Sequence, residues 1–227
     1  MCLREFYNIR CLFKRVNQYI FTVKKEVKTY MNSNILEENL LKKGYTVKTF
    51  KTGKEASDYL NREIDGMSVG FGGSATVKAL NLYETLSSHN TVFWHWEQEP
   101  DAARKNAMNT DIYISSANAI AETGEIVNMD GAGNRVASTL FGHDKVYFII
   151  GKNKITSTYE DAVWRVRNVA SPIRAQQMKK KTPCALKADK CYDCNSDERI
   201  CRGMVTLFGP MMIGSAEVIL IDEEYGN

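Results

Sequence analysis

The strongest constraint on this chain is a repeated alternation of strand-like and helical segments, in which two strands run directly into glycine-rich turns. Residues 67–71 read as a buried strand that enters Gly72, Gly73 and Ser74, with a helix over 75–87 immediately after. Residues 125–129 form a second such strand, entering Asp130-Gly-Ala-Gly133 and a helix that starts near Asn134. Further strands are expected at 45–50, 91–96, 111–115 and 145–150. Helices are expected to end at 43, with Gly44 as the terminating residue, and to cover 54–62, 100–108 and 158–168. Pro172 should end the last of these helices or kink its continuation. Such alternation implies an α/β fold with a mostly parallel sheet and helices on both faces. After a polar, basic, cysteine-rich loop at 182–203, two strands at 204–208 and 217–221 are expected to complete that sheet.

The two glycine-rich turns are candidate cofactor- or ligand-binding elements. A helix start exposes unpaired N–H groups and a partial positive charge, which suit a phosphate or carboxylate. In the first turn Gly72 and Gly73 let a ligand approach the backbone, and Ser74 or Thr76 can supply a hydroxyl. In the second, Gly131, Gly133 and Asn134 shape the turn and Arg135 adds a planar cation. Each turn can equally be a plain capped turn, with Ser74 as N-cap and Arg135 in a surface ion pair. Neither has Walker spacing, and the dinucleotide fingerprint fails. Glu122, in the link between two strands, is a candidate base or nucleophile, or else a solvated loop carboxylate. His95 and His143 are weighed in the same way, as catalysts or as structural residues.

Four of the six cysteines, Cys184, Cys191, Cys194 and Cys201, fall in one short segment with a single C-x2-C pair. Four thiolates suit Zn²⁺ or an iron–sulfur cluster, and a loop this polar has little core of its own to hold its shape. Free thiols or a redox pair are the alternative. A disulfide framework would spread its cysteines through a small secreted domain.

Charge is uneven. Residues 1–30 carry seven basic and two acidic residues, leaving 23 basic and 25 acidic on the rest. The body is slightly acidic, which gives no nucleic-acid footprint. The basic segment 1–30 is read as a leading helix or as residues upstream of a start at Met31, with the domain spanning 31–227. Charges interrupt its apolar groups, so neither a secretory signal nor a membrane span is expected, and a cytoplasmic location is.

These pieces together resemble the lactate-utilisation (LUD, LutC-like, DUF162) domain family from about residue 34 onward. The resemblance rests on Val-Gly-Phe-Gly-Gly-Ser at 69–74 and the long block 110–137. It also rests on Arg-Asn-Val-Ala-Ser-Pro at 167–172 and on the cysteine block, which points to a four-cysteine subgroup. It implies a fold like that of the NagB/RpiA/CoA-transferase group, with the Gly72-Gly73-Ser74 turn as an anion-binding turn. It also implies a role in oxidising L-lactate to pyruvate beside iron–sulfur partner proteins. The CoA-transferase relatives use a glutamate nucleophile, a role for which Glu122 is the candidate here.

Three functions are expected on these grounds. The first is a component of iron–sulfur-dependent lactate oxidation, with a 4Fe-4S cluster or zinc on the four cysteines and a small carboxylate or phosphate at the turns. The second is an isomerase- or CoA-transferase-like enzyme acting on a phosphorylated or acyl small molecule. The third is a non-catalytic structural or regulatory subunit.

Overall fold

A computed structural model of the chain describes residues 33–227. The expectation for residues 1–30 lies outside them.

Six strands form one parallel sheet in the order β1 (Thr46–Phe50), β10 (Ser215–Ile221), β7 (Lys145–Gly151), β4 (Ile112–Ser115), β2 (Ser68–Phe71), β3 (Thr91–Phe93). The central strands are apolar on both faces because both are covered. Tyr147, Ile149, Ile219 and Ile221 enter one core with Val69, Phe71 and Trp94. The alternate residues Val146, Phe148, Ile150, Val218 and Leu220 enter another with Leu36, Leu40 and Tyr45. That two-sided burial is why these strands read as continuous apolar runs.

The helices begin and end where local chemistry dictates. The first, α1 (Ser33–Lys42), stops at Gly44, whose φ is 96°. Its last carbonyls are closed by Tyr45 N–H to Leu40 (3.1 Å) and Gly44 N–H to Leu41 (3.0 Å). Helix α2 (Gly53–Glu63) opens on a capping box between Thr52 and Glu55 and buries Ala56 and Leu60. The single helix expected over 75–87 is two short ones, α3 (Ala75–Ala79) and α4 (Leu82–Ser87), separated by left-handed Asn81. Pro100 and the Glu99 carboxylate start α5 (Pro100–Ala107), and α6 (Asn134–Ser138) comes directly after the second glycine-rich turn.

A second, four-stranded sheet has the order β8 (Ile155–Thr156), β5 (Ala119–Ala121), β6 (Ile126–Asp130), β9 (Gly203–Leu207). Both β5–β6 and β6–β9 are antiparallel. Thus only one of the two late strands completes the main sheet. β10 is buried from Ala216 to Ile221 and enters its centre, whereas β9 is mostly accessible and takes an edge of the smaller sheet.

Helix α7 (Tyr159–Arg165), capped by Thr158, continues through a π-turn at Val166–Ala170 into α8 (Ser171–Gln177). The wider turn sits just before Pro172, which has no N–H and whose ring would crowd a regular α ladder. The Ser171 hydroxyl donates to the Val166 carbonyl at 2.8 Å. A short helix, α9 (Pro183–Lys187), begins the cysteine-rich segment.

Candidate functional site

The sheet order reverses between β2 and β4, because the connection from β2 leads outward to β3 while that from β4 leads back toward β7. Carboxyl ends of strands at such a switch point are where α/β sheets form their ligand crevice. A cleft of about 580 Å³ opens there, between Gly73-Ser74 after β2 and Ser116 to Asn118 after β4. Its walls carry Arg104, Arg135, Lys154, Arg174, Arg199 and Arg202 against the acids Asp130, Asp197 and Glu198. Glu198 already accepts the Lys181 N–H at 2.6 Å, so the lining favours an anion.

At the floor lies Lys154, only 4% exposed. Strand β7 reaches the carboxyl edge at Gly151, and a 3-10 turn (Lys152–Lys154) then points this side chain inward. A Cβ at Gly151 would fall 2.7 Å from the Tyr225 nitrogen, so only glycine lets residues 223–226 pack over this turn. Lys154 Nζ donates to Thr76 Oγ1 (2.7 Å) and Ser116 Oγ (2.9 Å), and no carboxylate among the described residues pairs with it. Burial, then the charges of Arg165 and Arg135, push its pKa down to about 7.

The two glycine-rich turns do different things. At the first, Ser74 Oγ accepts the Val77 N–H at 3.3 Å and caps α3. Gly72 is a packing glycine, since a Cβ there would come within 2.7 Å of Ser115 Oγ and 2.9 Å of Arg135 Cγ. Gly73 lies under His95 and Trp96, whose ring carries the Arg174 guanidinium 5.0 Å from its centroid. His95 faces the cleft with its pKa lowered by burial and by Arg104, and its buried Nδ1 has no hydrogen-bond partner among the described residues.

The second turn is already filled by its own carboxylate. Asp130 accepts from the N–H groups of Ala132 (3.1 Å), Gly133 (3.0 Å) and Val136 (3.3 Å) and faces Arg135 Nε at 3.5 Å. Arg135 gives its terminal N–H groups to the Ser116 and Met129 carbonyls and to the side-chain oxygens of Asn118 and Asn128. The guanidinium therefore ties β4, β6 and α6 together at the cleft wall. Gly133 takes the left-handed conformation (φ 88°), and Asn134 lines the cleft. A Cβ at Gly131 would meet the Ile200 carbonyl at 2.7 Å, so this glycine admits the cysteine-rich loop.

That loop forms both another wall of the cleft and a second site. Cys184, Cys191, Cys194 and Cys201, all half-buried, line one small cavity with Pro172 and Ala175. The Asp193 N–H points to Cys191 Sγ at 3.3 Å, and Asp193 is left-handed (φ 44°), so the C-x2-C pair forms a tight knuckle. Arg199 donates to the carbonyls of Cys194 (2.7 Å) and Cys201 (2.8 Å). Burial raises the Cys201 thiol pKa, with Arg199 pulling the other way. Four soft donors lining one cavity fit a thiolate-bound centre in type. Among the described residues no three such side chains are gathered at metal-binding geometry.

A model of the LUD domain matches residues 34–221. The chain belongs to the LUD domain family. The fold of this LUD protein is similar to the crystal structure of a DUF162 family protein from Deinococcus radiodurans, with a TM-score of 0.51 and 14% identity over 83% of this chain and 94% of that one. No curated protein matches it.

The LUD chain does not bring Glu122 into the cleft. Asn118, Asn128 and Met129 hold one end of the β5–β6 hairpin at the cleft wall, while Glu122 sits at the opposite end, its carbonyl accepting from Asn39 at 2.8 Å. His143 precedes β7 and so lies at the other edge of the main sheet. It bonds the Thr110 carbonyl at 2.7 Å and stacks on Tyr113. Sequence reasoning missed Lys154. The signal available was position: a lysine just past an apolar strand, at the sheet edge that also carries the first glycine-rich turn. No helix of the described residues is long and apolar enough to cross a membrane.

Proposed function

We propose that this LUD protein is a LutC-like component of L-lactate oxidation, acting in the cytoplasm with iron–sulfur partner proteins. The cleft takes a small carboxylate, and the four cysteines hold an iron–sulfur cluster or zinc. One observation carries this reading: Ser171, Arg199 and Ile200 line both the cleft and the cysteine cavity, so a ligand and a thiolate-bound centre would share a wall. A cluster in that position would supply one-electron transfer, whereas zinc would only fix the loop. The protein's own contribution is positional. Arg199 holds the loop by two of its cysteine carbonyls, while Arg104 and Arg174 provide positive charge for the carboxylate. Purification without oxygen, then iron, sulfide and zinc analysis, tests it. Bound iron and sulfide with a spectrum that responds to L-lactate or pyruvate is the expected result. A colourless, metal-free protein would remove the cluster role.

The excess of arginine and lysine around the cleft also favours a second reading, an isomerase- or acyl-transfer-like enzyme taking a phosphorylated or CoA-linked substrate. In that case Glu122, away from the cleft, is not the nucleophile. Phosphorylated sugars and CoA thioesters should then raise the melting temperature where lactate and pyruvate do not.

A further inference from the structure

We infer that Lys154 is an imine-forming lysine, and that the cleft takes 2-oxo acids as covalent ligands through their carbonyl carbon. This deepens the carboxylate reading of the same cleft and rests on it. The geometry is that of a nucleophilic amine. Nζ lies at the cleft floor, makes no ion pair with a carboxylate among the described residues, and has two hydroxyl oxygens within 2.9 Å. A lysine serving only to stabilise the fold in such a buried place would be expected beside a carboxylate; even Lys145, which is far less buried, pairs with Glu217 at 2.6 Å. Of the two cations that act on Lys154, Arg135 gives both terminal nitrogens to protein oxygens, and Arg165 donates to main-chain oxygens of Asn153, Asn118 and Asn227. Burial first, and then repulsion by Arg165 and Arg135, keeps a large share of the amine neutral near pH 7.

The chemistry balances without an oxidant. The Nζ lone pair attacks C2 of the 2-oxo acid, and the carbonyl π electrons move to oxygen. A proton passes from nitrogen to that oxygen through Ser116 Oγ, giving a carbinolamine. A second proton transfer lets the oxygen leave as water and leaves the imine, so that amine and ketone become imine and water. Thr76 accepts from Nζ and donates to the Tyr225 carbonyl at 3.2 Å, which holds the amine in place.

The test is reductive trapping. The full chain is incubated with pyruvate and cyanoborohydride at pH 7.5, then analysed by intact mass and peptide mapping. One reduced pyruvyl adduct on Lys154 is expected, formed well ahead of any on exposed lysines such as Lys42 or Lys54, and suppressed by excess L-lactate, which lacks the carbonyl. Ser116→Ala should slow trapping by roughly ten- to a hundredfold, and Lys154→Arg should abolish it. Mapping the wild-type adduct locates the site even if a variant fails to fold. Adducts spread over surface lysines, with Lys154 unmodified, would overturn the inference. Pyruvate raising the melting temperature without trapping would sink the imine while leaving the carboxylate cleft standing. Neither binding nor trapping would remove both.

Discussion

At the scale of the residue, Lys154 has the most consequence for stability as well as chemistry. In an unfolded chain a lysine titrates near 10.4, whereas in the fold Lys154 titrates at about 7. Between those values the unfolded chain binds the extra proton, so stability rises with pH across that window. Burying the lysine therefore costs most below pH 7, and the cost fades as pH climbs toward 10. A difference of that size corresponds to on the order of 5 kcal/mol. Lys154→Met removes it, so the wild type should gain on the variant across melts from pH 6.5 to 9.5; parallel curves would contradict the burial argument. Asp130 gives a second test. It satisfies three turn N–H groups and faces Arg135, so Asp130→Ala should cost about 3 kcal/mol in urea unfolding. Asp130→Asn keeps one acceptor oxygen and should cost clearly less. Neither role was legible in the sequence. Lys154 sits in a Lys-Asn-Lys run that reads as solvated surface, and the Asp130 carboxylate fills a turn whose glycines advertise an external anion.

At the scale of the element, legibility tracks burial. Strands β2, β4, β7 and β10 were apparent because parallel strands covered on both faces are written as largely apolar runs, whereas the exposed edge strand β1 showed through its threonine, valine and phenylalanine. β5 was not, because Ala119 and Ala121 carry little strand preference and the strand is only three residues long. The break between α3 and α4 rests on the left-handed conformation of Asn81, which no periodicity announces. The cysteine-rich loop was legible as a candidate site, but not as a wall of the cleft. Its contact runs through Gly131 against the Ile200 carbonyl and the Arg202 N–H to Asp130 at 2.9 Å. The state of the cysteines should therefore reach the cleft. Replacing Cys191 and Cys194 together by Ser should speed tryptic cleavage at Lys187 and Lys190 and weaken pyruvate binding. Unchanged cleavage and affinity would show that the knuckle is not what holds the loop.

At the scale of the molecule, the parallel sheet does one thing for function: it delivers β2, β4 and β7 to a common carboxyl edge. There the first glycine-rich turn, Ser116 and Lys154 meet over a span no sequence window covers. Helices α6 and α7 then carry in Arg135 and Arg165, and the cysteine loop closes the far wall. The fold class was readable from alternation alone, and the switch point required the strand order. We propose this edge as an anion site bordered by the cysteine loop. Calorimetric titration of pyruvate into the wild type and into Arg174→Glu tests it most directly, with circular dichroism confirming that both are folded. Saturable one-to-one binding by the wild type, weakened about tenfold or more by the charge reversal, is the expected result. No binding by the wild type, or equal affinity in the two proteins, would contradict it.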